Sequence, residues 1–197
     1  MGPELRAEAV SDYVRPAIIF DLDGTIADID HRLHFVKKQP KDWVGFLDAC
    51  PDDKLNQSVY EFYRRCNPAE VVICSGRNAT HRGQTVDCLA RHKITYNALM
   101  MRREKDYRPD VVIKLEMLTS IRNSRMHPIF AIDDRPSVVQ MWRRNGIACF
   151  QVDDGSWWEP KPGQTDALEW VEYMITQHGK SSMFAEVAKE LRKARLL

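Results

Sequence analysis

The tightest constraint in this sequence is a short apolar run, Ala17–Phe20, that stops at two carboxylates, Asp21 and Asp23, followed by Gly24 and Thr25. The run has the length and composition of a fully buried strand. Stability gives no reason to place two acids at its end, because an unpaired buried charge costs several kcal/mol. Acids on alternate residues can instead be aimed into one pocket, where a divalent cation holds both. The bland alternative is a tight Asp-Gly turn after a strand.

The rest of the chain repeats that design. Residues 1–16 read as a polar lead-in, with Pro16 opening the strand. Ile29–Cys50 carries Trp43, Phe46 and Leu47 among basic residues and reads as an insertion with one or two small helices. Leu55, Val59, Phe62 and Tyr63 fall at helical intervals, and Pro68 ends that helix. A small cap over about residues 29–68 results. Val71–Cys74 is a second buried strand, and Thr80–His92 a helix with Val86, Leu89 and Ala90 on its apolar face. Ala98–Met101 is a third strand, and Asp110–Ile121 a helix with Val111, Leu115 and Leu118 inward. Ile129–Ile132 is a strand that again ends at two acids, Asp133 and Asp134. Pro136 suits the first turn of the helix Ser137–Arg144, Gly146 closes it, and Ala148–Val152 is the last strand.

Strands alternating with helices predict an α/β, Rossmann-like three-layer sandwich: a central parallel sheet with helices on both faces. Ligands bind such sheets at the carboxyl ends of the strands. Both acid pairs and the tripeptide Ser75-Gly76-Arg77 fall there, which is the main reason to expect one site. Residues 159–197 read as a C-terminal extension of two helices, Thr165–Gln177 and Ser182–Arg195. It packs on the core or on a partner, with homo-oligomerisation as one outcome.

The net charge of +1 provides no whole-molecule field for nucleic acid or membrane, so any such contact must be local. Five scattered cysteines (Cys50, Cys66, Cys74, Cys88, Cys149) predict free thiols in a reducing cytoplasm, not disulfides or a zinc site. The N-terminal residues lack a signal-peptide core, and no 18-residue apolar run occurs. The expectation is a soluble cytoplasmic protein, in host cytoplasm if phage-encoded.

The stretch DLDGT at Asp21–Thr25 resembles the signature of the haloacid-dehalogenase-like (HAD) phosphatases. The resemblance implies Asp21 as the nucleophile that forms an aspartyl-phosphate. Asp23 is then the general acid/base, and the Gly24–Thr25 amides are a cradle for phosphate oxygens. Ser75 would donate to the phosphoryl group, Gly76 would permit close backbone approach, and Arg77 would fork onto a phosphate. Lys114 would neutralise charge on the phosphoryl oxygens and hold Asp21 ionised. Asp133 and Asp134, with Asp21 and the backbone carbonyl of Asp23, would hold Mg2+. Each has a plainer reading, as a solvated arginine, a surface lysine or an N-cap acid.

The similarity extends to the 3′-phosphatase domain of bacteriophage polynucleotide kinase–phosphatase, over roughly Ala17–Trp157. It is carried by IIFDLDGTIAD, VVICSGR, DVVIK at Asp110–Lys114 and AIDDRPSVVQMWRRNGIACFQV at Ala131–Val152. It implies roles in substrate binding for Arg32, Arg77, Asp110 and Arg135. The kinase loop GxxxxGK[ST] is missing, and Gly179-Lys180-Ser181 matches only its tail. The expectation is a stand-alone, Mg2+-dependent phosphomonoesterase acting on a phosphorylated nucleic-acid end or a 3′-nucleotide. A 5′(3′)-deoxyribonucleotidase on free mononucleotides shares the same residues, and a non-catalytic phosphate-binding protein is the alternative of another class. Arg64-Arg65, Arg102-Arg103-Lys105 and Arg143-Arg144 could track a phosphate backbone. Trp43 or Trp157-Trp158 could stack a base.

Overall fold

The structure, a computed structural model, describes residues 15–65 and 70–153. The lead-in before Arg15, Trp157, Trp158 and the two C-terminal helices lie outside the described residues. In chain order the elements are β1 (Arg15–Phe20), β2 (Ala27–Asp28), α1 (Leu33–Lys37), α2 (Trp43–Asp48), β3 (Lys54–Leu55), α3 (Gln57–Tyr63) and β4 (Glu70–Asn78). Then come α4 (Arg82–Arg91), β5 (Ala98–Arg102), α5 (Asp110–Asn123), β6 (Met126–Asp133), α6 (Pro136–Arg144) and β7 (Ala148–Gln151). Among the described residues no helix is long and apolar enough to cross a membrane.

Five of these strands form one parallel sheet in the order β5-β4-β1-β6-β7. Strand β1 is central, so alternate side chains enter two separate cores. Ala17 and Ile19 pack with α5 and α6, alongside Val72, Cys74, Ala131 and Trp142. Ile18 and Phe20 face the opposite way, into Ile73, Leu99, Ile132, Val59 of α3 and Leu89 of α4. A strand covered on both faces has no polar side to show, which explains the unbroken apolar run. The second core continues into the insertion through Leu22, Ile26, Ile29, Leu33, Val36 and Phe46. The cap is therefore welded to the sheet, with β2 and β3 pairing antiparallel at its base.

Several expected boundaries move. Strand β1 begins at Arg15, not Ala17, because Arg15 and Pro16 pair with Met126 and His127 of β6. Helix α4 buries Thr85, Cys88 and Leu89, while Val86 and Ala90 face solvent. It starts at Arg82, after a short 3-10 turn at Ala79–His81. Helix α5 buries Val111, Val112, Ile113, Met117, Leu118 and Ile121, so it is enclosed on more than one side. Helix α6 behaves as expected. Pro136 opens it, and Gly146 (φ +78°) closes it, with N–H bonds from Gly146 to Arg143 O and from Ile147 to Trp142 O. Cys50, Cys74, Cys88 and Cys149 are free and buried.

Candidate active site

Parallel register brings the ends of β1 and β6 together. The Asp21 N–H donates to Ile132 O (2.9 Å), fixing Asp21 beside Asp133 and Asp134. Lys114, in the second turn of α5, is buried and donates to Asp21 Oδ1 (2.6 Å) and Asp133 Oδ2 (2.9 Å). The indole Nε1 of Trp142 donates to the same Asp133 oxygen (3.1 Å), and the Arg135 N–H to the other (3.2 Å). Burial works against the ammonium of Lys114, but Asp133 and Asp21 outweigh it and hold the lysine protonated.

The acids have the opposite problem. Burial raises the Asp21 carboxyl well above its ordinary value, with Asp133 and Asp134 adding to the rise and Lys114 opposing it. Burial and then Asp133 push Asp134 up to about 6. Asp134 Oδ2 is buried with no hydrogen-bond partner. One oxygen from each of Asp21, Asp133 and Asp134 lies within 4.8 Å of the others. The three acids outnumber the cations beside them, Lys114 and Arg135, and their mutual repulsion adds to the rise that burial causes. An all-oxygen cluster with an unsatisfied buried oxygen fits a hard divalent cation such as Mg2+.

A second network surrounds Asp23. Arg77 Nε donates to both its oxygens (2.9 and 3.0 Å), and Arg77 Nη2 and Arg32 Nη2 each reach Oδ1 at 2.5 Å. Beneath them lies Asp53, also buried. It accepts from Arg32 Nε (2.6 Å), Arg32 Nη2 (2.7 Å) and Arg77 Nη2. His31 adds a contact to Asp53 at 3.0 Å, and the Arg32 guanidinium stacks 4.2 Å above the Phe46 ring. Burial alone would raise Asp23, yet Arg77 and Arg32 carry it well below the usual carboxylate range. Arg32 and Arg77 were expected to bind substrate, Arg77 as a fork onto a phosphate. Here both are buried and pair with Asp23 and Asp53, because a guanidinium removed from water needs carboxylates against it.

The turn after Asp23 departs from expectation too. The Gly24 N–H donates to Ala27 O (3.0 Å) and the Thr25 N–H to Leu22 O (3.3 Å), so the loop uses both amides on itself rather than on phosphate. Gly24 has a different task. It sits at φ +85°, and a Cβ there would collide with the Asp134 carboxylate. Ser75 is buried at the end of β4, and its Oγ accepts from the Arg77 N–H (3.1 Å). That contact leaves the hydroxyl hydrogen for another acceptor.

A third group joins β4 to α5. A Cβ on Gly76 would lie 2.5 Å from Asp110 Oδ1, so glycine permits the approach. Asp110 accepts from Arg102 Nη2 (2.7 Å) and pairs with Arg135 Nη1 (2.8 Å), holding Arg135 beside Asp134. Arg102 Nε also donates to Gly76 O (2.9 Å). Of the basic runs, Arg102 is thus a brace. Arg64 and Arg65 pair with Glu61, and Arg143 donates to Cys149 O. Trp43 packs edge-on against Phe46 in the cap.

Three residues of this site were not anticipated: Asp53, Trp142 and Thr85, which meets Arg77 Nη1 at 3.4 Å. One signal for Asp53 existed. Two motif arginines sharing a single acid, Asp23, require a second carboxylate if both are buried.

The family model described as the polynucleotide kinase PNKP phosphatase domain matches residues 15–157. A chain in a solved structure of the Pnkp1/Rnl/Hen1 RNA repair complex is 30% identical with a TM-score of 0.61, covering 78% of this chain and 47% of that one. A protein of Autographa californica nuclear polyhedrosis virus, described as a bifunctional polynucleotide kinase/RNA ligase, is 27% identical over 138 residues. That match is 68% of this chain and 19% of the viral protein. A HAD-superfamily hydrolase from Geobacter sulfurreducens is 13% identical with a TM-score of 0.50, over 70% of this chain and 89% of that one, and shares the fold. The chain therefore spans under half the length of the first two relatives.

Proposed function

The chain belongs to the PNKP phosphatase-domain family, a HAD-type phosphatase group, and we propose that it removes 3′-phosphates from nucleic-acid ends with Mg2+ bound at Asp21, Asp133 and Asp134. The observation that carries the reading is buried Lys114 bridging Asp21 and Asp133 beside the unsatisfied oxygen of Asp134. Bound there, with the Asp23 carbonyl as a further ligand, the cation would offset the repulsion between these acids and an incoming phosphate. Lys114 holds Asp21 oriented and withdraws negative charge from the oxygens around phosphorus.

The chemistry then divides between two aspartates. An Asp21 oxygen attacks phosphorus, and the bond from phosphorus to the sugar oxygen breaks, giving an aspartyl-phosphate. The leaving oxygen takes a proton from Asp23. Water next attacks phosphorus, its proton passes to Asp23, and Asp21 departs as carboxylate. The clamp of Arg32 and Arg77 holds Asp23 ionised, which suits it to take the proton from water. To give one to the leaving oxygen, Asp23 must first take up a proton from solvent water, which requires substrate to loosen that clamp. Ser75 donates to a phosphoryl oxygen through its remaining hydrogen.

The relative found in an RNA repair complex supports a polymer end as substrate. The test is phosphate release with Mg2+ from 3′- and 5′-phosphorylated RNA and DNA oligonucleotides and from 3′- and 5′-mononucleotides, with Asp21→Asn as control. Turnover of 3′ ends, lost in the variant, is the expected result. Preference for 5′-mononucleotides overturns it and identifies a nucleotide-pool enzyme.

A further inference from the structure

The loop between β5 and α5, at the carboxyl edge of the sheet, displays an exposed aromatic ring. Tyr107 is 82% exposed, the most exposed large hydrophobic among the described residues. An exposed tyrosine on a slack loop would mean little, but this loop is pinned on both sides of it. Arg102 Nη1 donates to the carbonyls of Asp106 (3.0 Å) and Arg108 (2.6 Å), the two neighbours of Tyr107. Asp106 accepts from the Arg108 backbone N–H (3.1 Å) and from Nε (2.9 Å). Arg108, itself buried, closes a second ion pair with Glu116 of α5. The Asp106 N–H donates back to Arg103 O (3.2 Å), closing the turn.

The brace belongs to the active site. The same Arg102 donates to Gly76 O in the last third of β4 and to Asp110 Oδ1. Asp110 in turn holds Arg135 next to the acid cluster. Tyr107 lies three residues before Asp110, so their Cα atoms are within about 11 Å of one another. Arg103 and Lys105, on the same turn, face solvent. Among the described residues Lys105 meets only the exposed Glu104 at 4.0 Å, a contact of little strength. A solvent-facing ring on a pinned loop, flanked by exposed cations at the carboxyl edge of the sheet, has the composition of a single-strand platform.

We propose that Tyr107 is a stacking platform for a nucleobase of the substrate strand, with Arg103 and Lys105 meeting its phosphates. The inference rests on the nucleic-acid reading of the site and names the part of the chain that distinguishes a polymer end from a bare phosphate ester. A tyrosine ring has only two torsions to fix on stacking, and here the backbone beneath it is already fixed.

The test compares Tyr107→Ala and Tyr107→Phe with the parent protein. KM and kcat are measured on a 3′-phosphorylated hexanucleotide and on versions abasic at either of the two terminal nucleotides. In the parent, one abasic position raises KM. Tyr107→Ala raises KM for the intact strand about tenfold, in keeping with the loss of one base–aromatic stack. It adds no further rise on that abasic strand, while Tyr107→Phe keeps the parent KM. An unchanged KM in Tyr107→Ala overturns the proposal. So does a rise of equal size on intact and abasic strands, which would mean the loop had merely shifted. If the parent cleaves an aryl phosphate but no oligonucleotide, both this inference and the nucleic-acid reading fall. If it cleaves oligonucleotides and Tyr107→Ala is silent, only this one does.

Discussion

Asp53 shows how a residue without chemistry of its own can decide whether the chemistry works. Two guanidiniums, Arg32 and Arg77, lie out of water beneath the insertion, and Asp53 is the fully buried carboxylate that touches both. The other acid they share, Asp23, is more open, with its side chain 18% exposed. Removing Asp53 strands two buried cations on one acid. Asp53→Ala is expected to cost roughly 3–5 kcal/mol of folding free energy, the usual effect of breaking a buried ion pair from one side. Urea denaturation monitored by tryptophan fluorescence measures it. Asp53→Asn keeps the shape and two acceptor lone pairs and should fold better, yet still lose turnover as the arginines reorient. Equal stability and activity in the parent and both variants would show that Asp23 needs no such support.

At the scale of elements, the site is a meeting of strand ends and one helix, and the β4–α5 seam sets the position of Lys114. Gly76 lets the Asp110 carboxylate sit against β4, where Arg102 and Arg135 close over it. Burial acts to raise the Asp110 pKa, but Arg135, then Lys114 and Arg102, lower it below its ordinary value. A group depressed on folding contributes stability above its unfolded pKa of about 3.9, and loses it as pH falls through the folded value. The parent's advantage in urea midpoint over Asp110→Asn should therefore be constant from pH 7 to about 5 and shrink below about pH 4. An advantage that grew on acidification would mean that Asp110 is not held ionised by this seam.

Much of this level was legible in the sequence. The apolar runs before Asp21, Ser75 and Asp133 marked the strands, and their polar ends marked the site, because a parallel sheet covered on both faces keeps its strands apolar and gathers polar groups at their carboxyl ends. What escaped was set by side-chain pairing across distant elements. No spacing rule tells that Arg102 leaves its basic run to brace a loop, or that Arg32 and Arg77 turn inward. The inward face of α4 holds Thr85 and Cys88 with Leu89 rather than Val86 and Ala90, because a threonine and a cysteine can be buried as small side chains that an apolar count passes over.

For the whole molecule, the acid cluster sets activity against stability. Without a cation, folding must bring Asp21, Asp133 and Asp134 together around one lysine and leave Asp134 Oδ2 buried without a partner. That arrangement is unfavourable on its own, since the unfolded chain keeps those carboxylates apart and hydrated. A ligand that binds the folded protein alone reverses the balance by mass action, adding about 2.7 kcal/mol at a hundredfold excess over its dissociation constant. Asp134→Asn removes one charge and supplies an amide donor to a neighbouring carboxylate. In chelator it should melt at or above the temperature of the parent. Titrating Mg2+ should then raise the parent's midpoint steadily and the variant's far less, so that the two curves cross. Calorimetry across a magnesium series reads the crossing directly. Parallel curves would mean that the cluster holds no cation. A variant less stable than the parent even in chelator would mean that the three acids are not in conflict, and that Asp134 is a structural group.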